Sequence, residues 1–327
     1  MTADRVSVAL CTRNGERFIE AQLRSILAQT VPPTEIVLSD DASSDRTLEI
    51  ARSVLDGTGI ALSVLRSETP LGVTANFERA ILAASGDLIA LCDQDDEWMP
   101  DRLERAAALF ASRPGLALVH ANAALVDADG HPLPGTLFSA LGVGASELSA
   151  IHSGRAFELF LRRNLVTGAT TMIRAELARK SAPFPAGWLH DEWLAIIGTV
   201  VGEVDAIESP LISYRQHGQN QVGVRTLSTV GKLRRMVEPG AERNRRLLVR
   251  AEALAVRMES LAAASKSQKS AARSKLEHER ARSSLAVSRI HRLPLVLREL
   301  RTGRYTRFGR GLPDAVRDLL QPLKSAS

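Results

Sequence analysis

Four short apolar runs stand out in the N-terminal part of the chain: "VSVAL" (6–10), "EIVLS" (35–39), "ALSVL" (61–65) and "DLIALC" (87–92). Amphipathic stretches near 16–29, 44–55, 74–85 and 100–112 lie between and after them. Runs that are apolar throughout suit strands covered on both faces, and about ten to fifteen helical residues between strands suit βαβ units. The pattern therefore predicts an α/β fold with a mostly parallel sheet flanked by helices. Ser43 or Ser44 is placed to cap the second helix, and Pro100 to open the fourth. Beyond "LALVHANAALVDADG" (116–130) the alternation fades into an amphipathic helix near 153–163 and short strands near 169–173 and 203–214, which are expected to cover one end of the sheet. From 225 onward Ala, Leu, Arg, Lys and Glu dominate and the pattern is helical, dividing the chain into 1–224 and a helical extension, 225–327.

Charge sharpens that division. The net charge of +5 conceals a C-terminal region, 225–327, with 24 Lys and Arg against 9 Asp and Glu, or +15; the remainder holds 18 against 28, or −10. With 45% hydrophobic and 24% charged residues in 327, disorder throughout is excluded. The two cysteines, Cys11 and Cys92, sit inside apolar runs, which suits buried thiols in a reducing compartment better than a disulfide framework. The first apolar run is too short for a secretory leader, and no segment offers the roughly 18 uninterrupted apolar residues of a spanning helix. A cytoplasmic protein without a transmembrane anchor is expected.

Candidate chemistry gathers where strands end, the edge at which parallel sheets bind ligands. "CTRNGE" (11–16), "SDDASSD" (39–45) and "CDQDD" (92–96) follow the first, second and fourth apolar runs. Asp40 and Asp41 can accept hydrogen bonds from a base or a ribose hydroxyl; a capped turn explains Ser43, Ser44 and Asp45 but not both preceding carboxylates. Asp93 and Asp95, two apart in extended backbone, point to one side and can share a cation with a diphosphate; hard oxygen donors suit Mg2+ or Mn2+. Three carboxylates at the mouth of a buried strand are costly unless something positive sits among them. In "WLHDEWLAII", Asp191 and Glu192 open an apolar helix, either complementing its dipole or providing a general base. "SYRQHGQNQVG" adds Arg215 and His217, the latter a third ligand or a structural histidine.

Taken together, "VSVALCTRNGERFIEAQLRSILAQTVPPTEIVLSDDASSDRT", "GDLIALCDQDDEWMPDRL" and "HDEW" resemble the family 2 glycosyltransferases, nucleotide-sugar enzymes of GT-A fold, over roughly residues 5 to 220. The resemblance implies that Cys11, Thr12, Arg13, Asn14 and Glu16, with Asp40, Asp41 and Gln94, hold the nucleotide, with Asp41 on the base. It implies that Asp93 and Asp95 are the Asp-x-Asp pair, Asp95 being the direct metal ligand, and that Asp191 is the catalytic base, with His190 where the family has glutamate. "CDQDDEW" with "YRQHGQNQVG" is most similar to rhamnosyltransferases of O-antigen and polysaccharide assembly, implying dTDP-rhamnose or a UDP-hexose as donor and a metal or diphosphate contact for His217. "NLVTGATTMI", with Gly168 and Thr170, is assigned to the sugar or acceptor pocket together with Trp188, His190, Glu192 and Arg215. The mechanism implied is inverting.

The basic extension suits attraction to anionic lipid on the inner face of the plasma membrane, or a solvated oligomerisation arm. With few aromatics for base stacking, a nucleic-acid partner is not expected. A glycan or lipid-linked glycan is the acceptor class that a membrane-surface role fits. The competing reading is a non-catalytic scaffold, in which an inactive sugar-nucleotide fold presents the basic tail to membrane or nucleic acid.

Overall fold

The computed structural model describes residues 4–217 and 240–322, so residues 218–223 of the histidine motif and the first part of the basic extension lie outside the described residues. The chain forms two compact units. The first comprises Met1–Ala156, Leu165–Phe184 and Leu189–Val224; the second comprises Phe157–Asn164, Pro185–Trp188 and Arg225–Ser327.

A nine-stranded mixed sheet organises the first unit. Its leading half is the expected parallel set: β1 (Val6–Thr12) lies between β2 (Glu35–Asp40) and β4 (Leu88–Asp93), with β3 (Ala61–Arg66) outside β2. Every residue of β1 is buried, which is why it reads as an unbroken apolar run, whereas the edge strand β3 alternates between exposed and half-buried positions. Register aligns the strand ends. Thr12 is opposite Asp40 and Cys11 opposite Asp93, so the three polar segments arrive at one edge of the sheet.

Helices α1 (Ile19–Leu27), α2 (Thr47–Leu55), α3 (Val73–Ala83) and α4 (Arg102–Ser112) cover this half, packing Ile19, Leu23, Ile26, Ala51, Phe77 and Phe110 out of solvent. The expected serine cap of the second helix is not formed. Asp45 Oδ1 accepts the Thr47 N–H instead, while Ser43 Oγ accepts from Asn14 N.

Past β4 the sheet turns antiparallel. A two-residue strand, β5 (Glu97–Trp98), precedes β6 (Leu116–Val126) and β7 (Pro132–Thr136); β8 (Thr171–Arg174) then runs antiparallel to both β4 and β6. β9 (Glu203–Arg215) lies parallel to β6 and clips β5 against its far end, Trp98 opposite Ile212 and Glu97 opposite Ser213. The segment after the Asp-x-Asp pair is thereby tied to the strand that carries Arg215. Short helices α5 (Leu137–Leu141), α6 (Ala145–His152), α7 (Ala156–Arg162) and α8 (Ala175–Ser181) lead to α9 (His190–Val201), most of whose residues are buried.

The described part of the second unit is dominated by helices: α10 (Gly240–Ser260), α11 (Lys266–Ser283), α12 (Arg289–Arg301), α13 (Arg304–Phe308) and α14 (Leu312–Leu320). Alongside a small apolar cluster of Leu285, Val296, Tyr305 and Ala315 its interior holds charges. Arg282 Nε donates to Asp318 Oδ2 at 2.7 Å and Arg282 Nη1 to Glu279 Oε2 at 3.0 Å; the Tyr305 hydroxyl donates to Asp318, and His278 meets Glu299 at 2.8 Å. None of the described helices is long and apolar enough to cross a membrane.

Candidate active site

The two loops after β1 and β2 are stitched to each other. Thr12 Oγ1 donates to Asp40 Oδ2 at 2.9 Å, and Ser43 N donates to Asp40 Oδ1 at 3.0 Å. Asn14, held at φ 48°, donates from its backbone to Ser43 Oγ and accepts from Ser44 N. Glu16 N donates to Asp45, and the Glu16 carboxylate accepts from Arg46 N. Asp40 is wholly buried, so it shapes the two loops from beneath. Asp41, 3% exposed, accepts from the backbone N–H of Leu71 and of Gly72, which holds the loop before α3.

Gln94 faces the first loop from the fourth strand end. Its Oε1 accepts from Arg13 N at 2.8 Å and its Nε2 donates to Arg13 O at 3.0 Å. A Cβ at Gly15 would lie 2.2 Å from that oxygen, which explains glycine there. Cys11 is buried on β1, and burial followed by the neighbouring Asp93 carboxylate pushes its thiol well up, so it is no nucleophile at neutral pH.

Negative charge accumulates at the end of β4. Asp93 is pushed up to about 8, first by burial and then by the carboxylates of Asp95 and Asp191. Asp96, 2% exposed, is raised by burial and by Asp95 and Asp93. The cation set against them is Arg102, in the first turn of α4. Its guanidinium lies 3.7 Å from the Trp98 ring centroid and donates to Leu91 O at 3.0 Å, and burial lowers it to about 10. Nothing in "MPDRL" itself marks this arginine as buried.

β9 delivers the remaining groups. Arg215 donates from N to Asp96 Oδ1, from Nε to Asp95 O and from Nη2 to Glu97 Oε1, so it clamps the acidic turn. His217 Nε2 lies 2.7 Å from Asp95 Oδ2, its ring stacked on Phe18 with centroids 5.0 Å apart. Phe18 also lies under the Arg215 guanidinium; nothing in its local sequence marked it.

Asp191 opens α9. Its Oδ2 accepts from Gly168 N at 3.1 Å and its Oδ1 from Glu192 N at 2.6 Å, and burial, then Glu192, raises it to about 7. His190 is stacked on Phe77 with centroids 3.8 Å apart, has no hydrogen-bond partner among the described residues, and is lowered to about 3 by burial. A Cβ on Gly168 would fall 2.4 Å from His190 Nε2. The Thr170 hydroxyl donates to Thr167 O within its own turn. Gly168 and His190 thus shape the support of Asp191, and Thr170 the turn that carries it. Trp188 belongs to the second unit, where its indole donates to Arg250 O.

Asp93, Asp95 and His217 offer oxygen and imidazole donors where carboxylates outnumber the cations set against them, donors of the kind Mg2+ or Mn2+ takes, but their ligand atoms do not all lie within 4.8 Å of one another. Among the described residues, Asp127, Asp129 and His131 are the one group of three whose ligand atoms all lie within 4.8 Å. That group closes a turn: Asp127 Oδ1 accepts from the N–H of Asp129 and of His131, and Asp129 pairs with Arg17.

Residues 7–180, more than half of the chain, match the family described as glycosyl transferase family 2. The chain belongs to that family. A dTDP-rhamnosyl transferase of Shigella flexneri, RfbG, is 36% identical over 101 residues, 30% of this chain and 35% of that protein. Matches to the first curated relatives span 38% to 66% of their own lengths. Among solved structures, S. aureus TarS 1–349 in complex with UDP-GlcNAc aligns at TM-score 0.58 and 17% identity, over 96% of this chain and 81% of that one. The mannosyltransferase PcManGT from Pyrobaculum calidifontis, in complex with GDP-Man and Mn2+, aligns at 0.50 and 19%, over 93% and 76%. At those identities the likeness establishes the fold, GT-A with a helical C-terminal region.

Proposed function

We propose that the chain is an inverting, metal-dependent glycosyltransferase that moves a sugar from a nucleoside diphosphate to a hydroxyl of a glycan or lipid-linked acceptor in cell-surface polysaccharide synthesis. The observation that carries this reading is the convergence of Asp93, Asp95 and Asp191 at one sheet edge, where burial first and then the other two carboxylates push up the carboxyl of Asp93.

Each need of the reaction has a candidate among this chain's residues. The stitched loops 11–16 and 39–45 would bind the nucleoside, with Asp41 beneath the base. Asp95, with Asp93 and His217, would hold Mg2+ or Mn2+, which when bound supplies positive charge to a departing diphosphate. Asp191, raised by burial, would take the proton of the attacking hydroxyl as general base. Arg215 orients the acidic turn through its contacts with Asp95, Asp96 and Glu97, and Arg102 offsets its charge. The relative in Shigella favours dTDP-rhamnose, and the TarS complex keeps UDP-linked sugars in consideration.

The deciding experiment is transfer or slow hydrolysis across dTDP-rhamnose and UDP-hexoses with Mn2+ or Mg2+, comparing wild type with Asp95→Ala and Asp191→Ala. Turnover of one donor, lost in both variants, supports the reading. Turnover of none, with metal and a lipid-linked acceptor present, defeats it.

A further inference from the structure

Two helices of the second unit, α12 and α14, invert the usual sorting of side chains. On α14 the buried positions are Asp314, Ala315 and Asp318, while Leu312 and Leu320 are 65% and 51% exposed. On α12 the buried positions are Arg292, Val296 and Glu299, while Ile290 is 81% exposed and Leu293 and Leu297 are exposed beside it. Ile290, Leu293 and Leu297 recur at i, i+3 and i+7, which puts them on one face of the helix, and Leu312 and Leu320 recur at i and i+8 on one face of theirs. Two helices that pack against each other each leave an apolar stripe outside. A water-facing surface does not select such a stripe.

Charge identifies what would cover it. Residues 289–320 contain eight arginines and three acids, Glu299, Asp314 and Asp318. All three acids are buried, whereas Arg289, Arg298, Arg301 and Arg310 are exposed. The accessible charge of this segment is therefore entirely positive around a leucine-rich face. Two copies apposed through it would bring like charges together. Nucleic acid would find no exposed aromatic for stacking, since Tyr305 and Phe308 are both buried. An anionic bilayer meets both features, headgroups taking the arginines and the acyl boundary taking the leucines.

We propose that the exposed faces of α12 and α14 are a membrane-docking surface for anionic lipid, seating the chain in the headgroup plane without spanning the bilayer. The inference stands apart from the catalytic reading, so either can fail alone.

The test is flotation of the full chain with phosphatidylcholine vesicles and with vesicles containing roughly 30% phosphatidylglycerol, at low and high salt. Wild type is expected to float only with the anionic vesicles. The double variant Leu293→Glu/Leu297→Glu should lose that binding while keeping its helix content and its hydrolysis of the donor in solution. The triple variant Arg289→Ser/Arg298→Ser/Arg301→Ser, with its helix content checked by circular dichroism because Arg298 also meets the buried Glu299 at 3.5 Å, should weaken partitioning roughly a hundredfold, from about fivefold per arginine. Equal binding to both vesicle types, no binding at low salt, or variants that float like wild type would overturn the proposal. So would light scattering that finds an oligomer in wild type and a monomer in the leucine variant, because the stripe would then be a self-interface.

Discussion

The backbone N–H of Gly168 donates to Oδ2 of Asp191 at 3.1 Å, and the space left by its missing side chain is filled by the imidazole of His190. Substituting Gly168→Ala places a methyl 2.4 Å from His190 Nε2, so the turn or the ring must move and Asp191 with it. Misplacement of a reacting group by about an ångström costs roughly a hundredfold in rate. The expected outcome is a kcat lowered by that order with donor KM nearly unchanged. Because the clash is with one side chain, Gly168→Ala/His190→Ala should recover part of the loss, and steady-state kinetics on both variants check this.

Protonation of Asp191 sets a pH limb. A base raised to about 7 is active when ionised, so kcat/KM should climb as pH rises through about 7 and level above it. Asp191→Asn should remove both the limb and most of the rate, by roughly a thousandfold. A profile flat between about pH 5 and pH 9 in wild type would exclude Asp191 as the base.

His217 and Asp95 are expected to separate in metal dependence. His217→Ala leaves the carboxylates in place and should weaken Mn2+ activation roughly ten- to a hundredfold, with kcat restored at saturating metal. Asp95→Ala should not be restored. Calorimetric titration of Mn2+ with the nucleoside diphosphate present gives a second readout, independent of turnover.

Arg102 carries a stability prediction. Replacing it with Leu leaves Asp96 and Asp93 without their buried counter-charge, at a cost of about 3–5 kcal/mol in urea unfolding. Both carboxyls already stand above their unfolded values, and losing the guanidinium raises them further. A raised folded-state pKa gives stability that is present at low pH and lost as pH rises. The gap between wild type and Arg102→Leu should therefore stay level below about pH 7 and widen as pH rises through about 8, where Asp93 ionises in the wild type and stays protonated in the variant.

Legibility in the sequence tracks burial. β1, β2 and β4 are almost fully buried, so their apolar runs and polar ends could be read directly, and with them the loops and the Asp-x-Asp pair. β6 is just as buried, and its run shows in the sequence from 116, but His120 and Asn122 interrupt it, so its length of eleven residues does not. The contacts of Asp40, Gly168 and Arg215 within the protein are not legible for a different reason: their hydrogen bonds go to backbone and side chains brought close by pairings that no local pattern reveals. Phe18 and Arg102 matter through what stacks on them, which is tertiary information.

The stitching of the loops after β1 and β2 bears on how such a protein could be re-engineered. Asn14, Glu16, Ser43, Asp45 and Thr47 form a reciprocal lattice in which changing one loop strands the polar groups of the other. A graft meant to accept a different nucleobase would have to carry both segments as one cassette. Single-site libraries on either loop alone would be filtered by misfolding before any new preference could emerge.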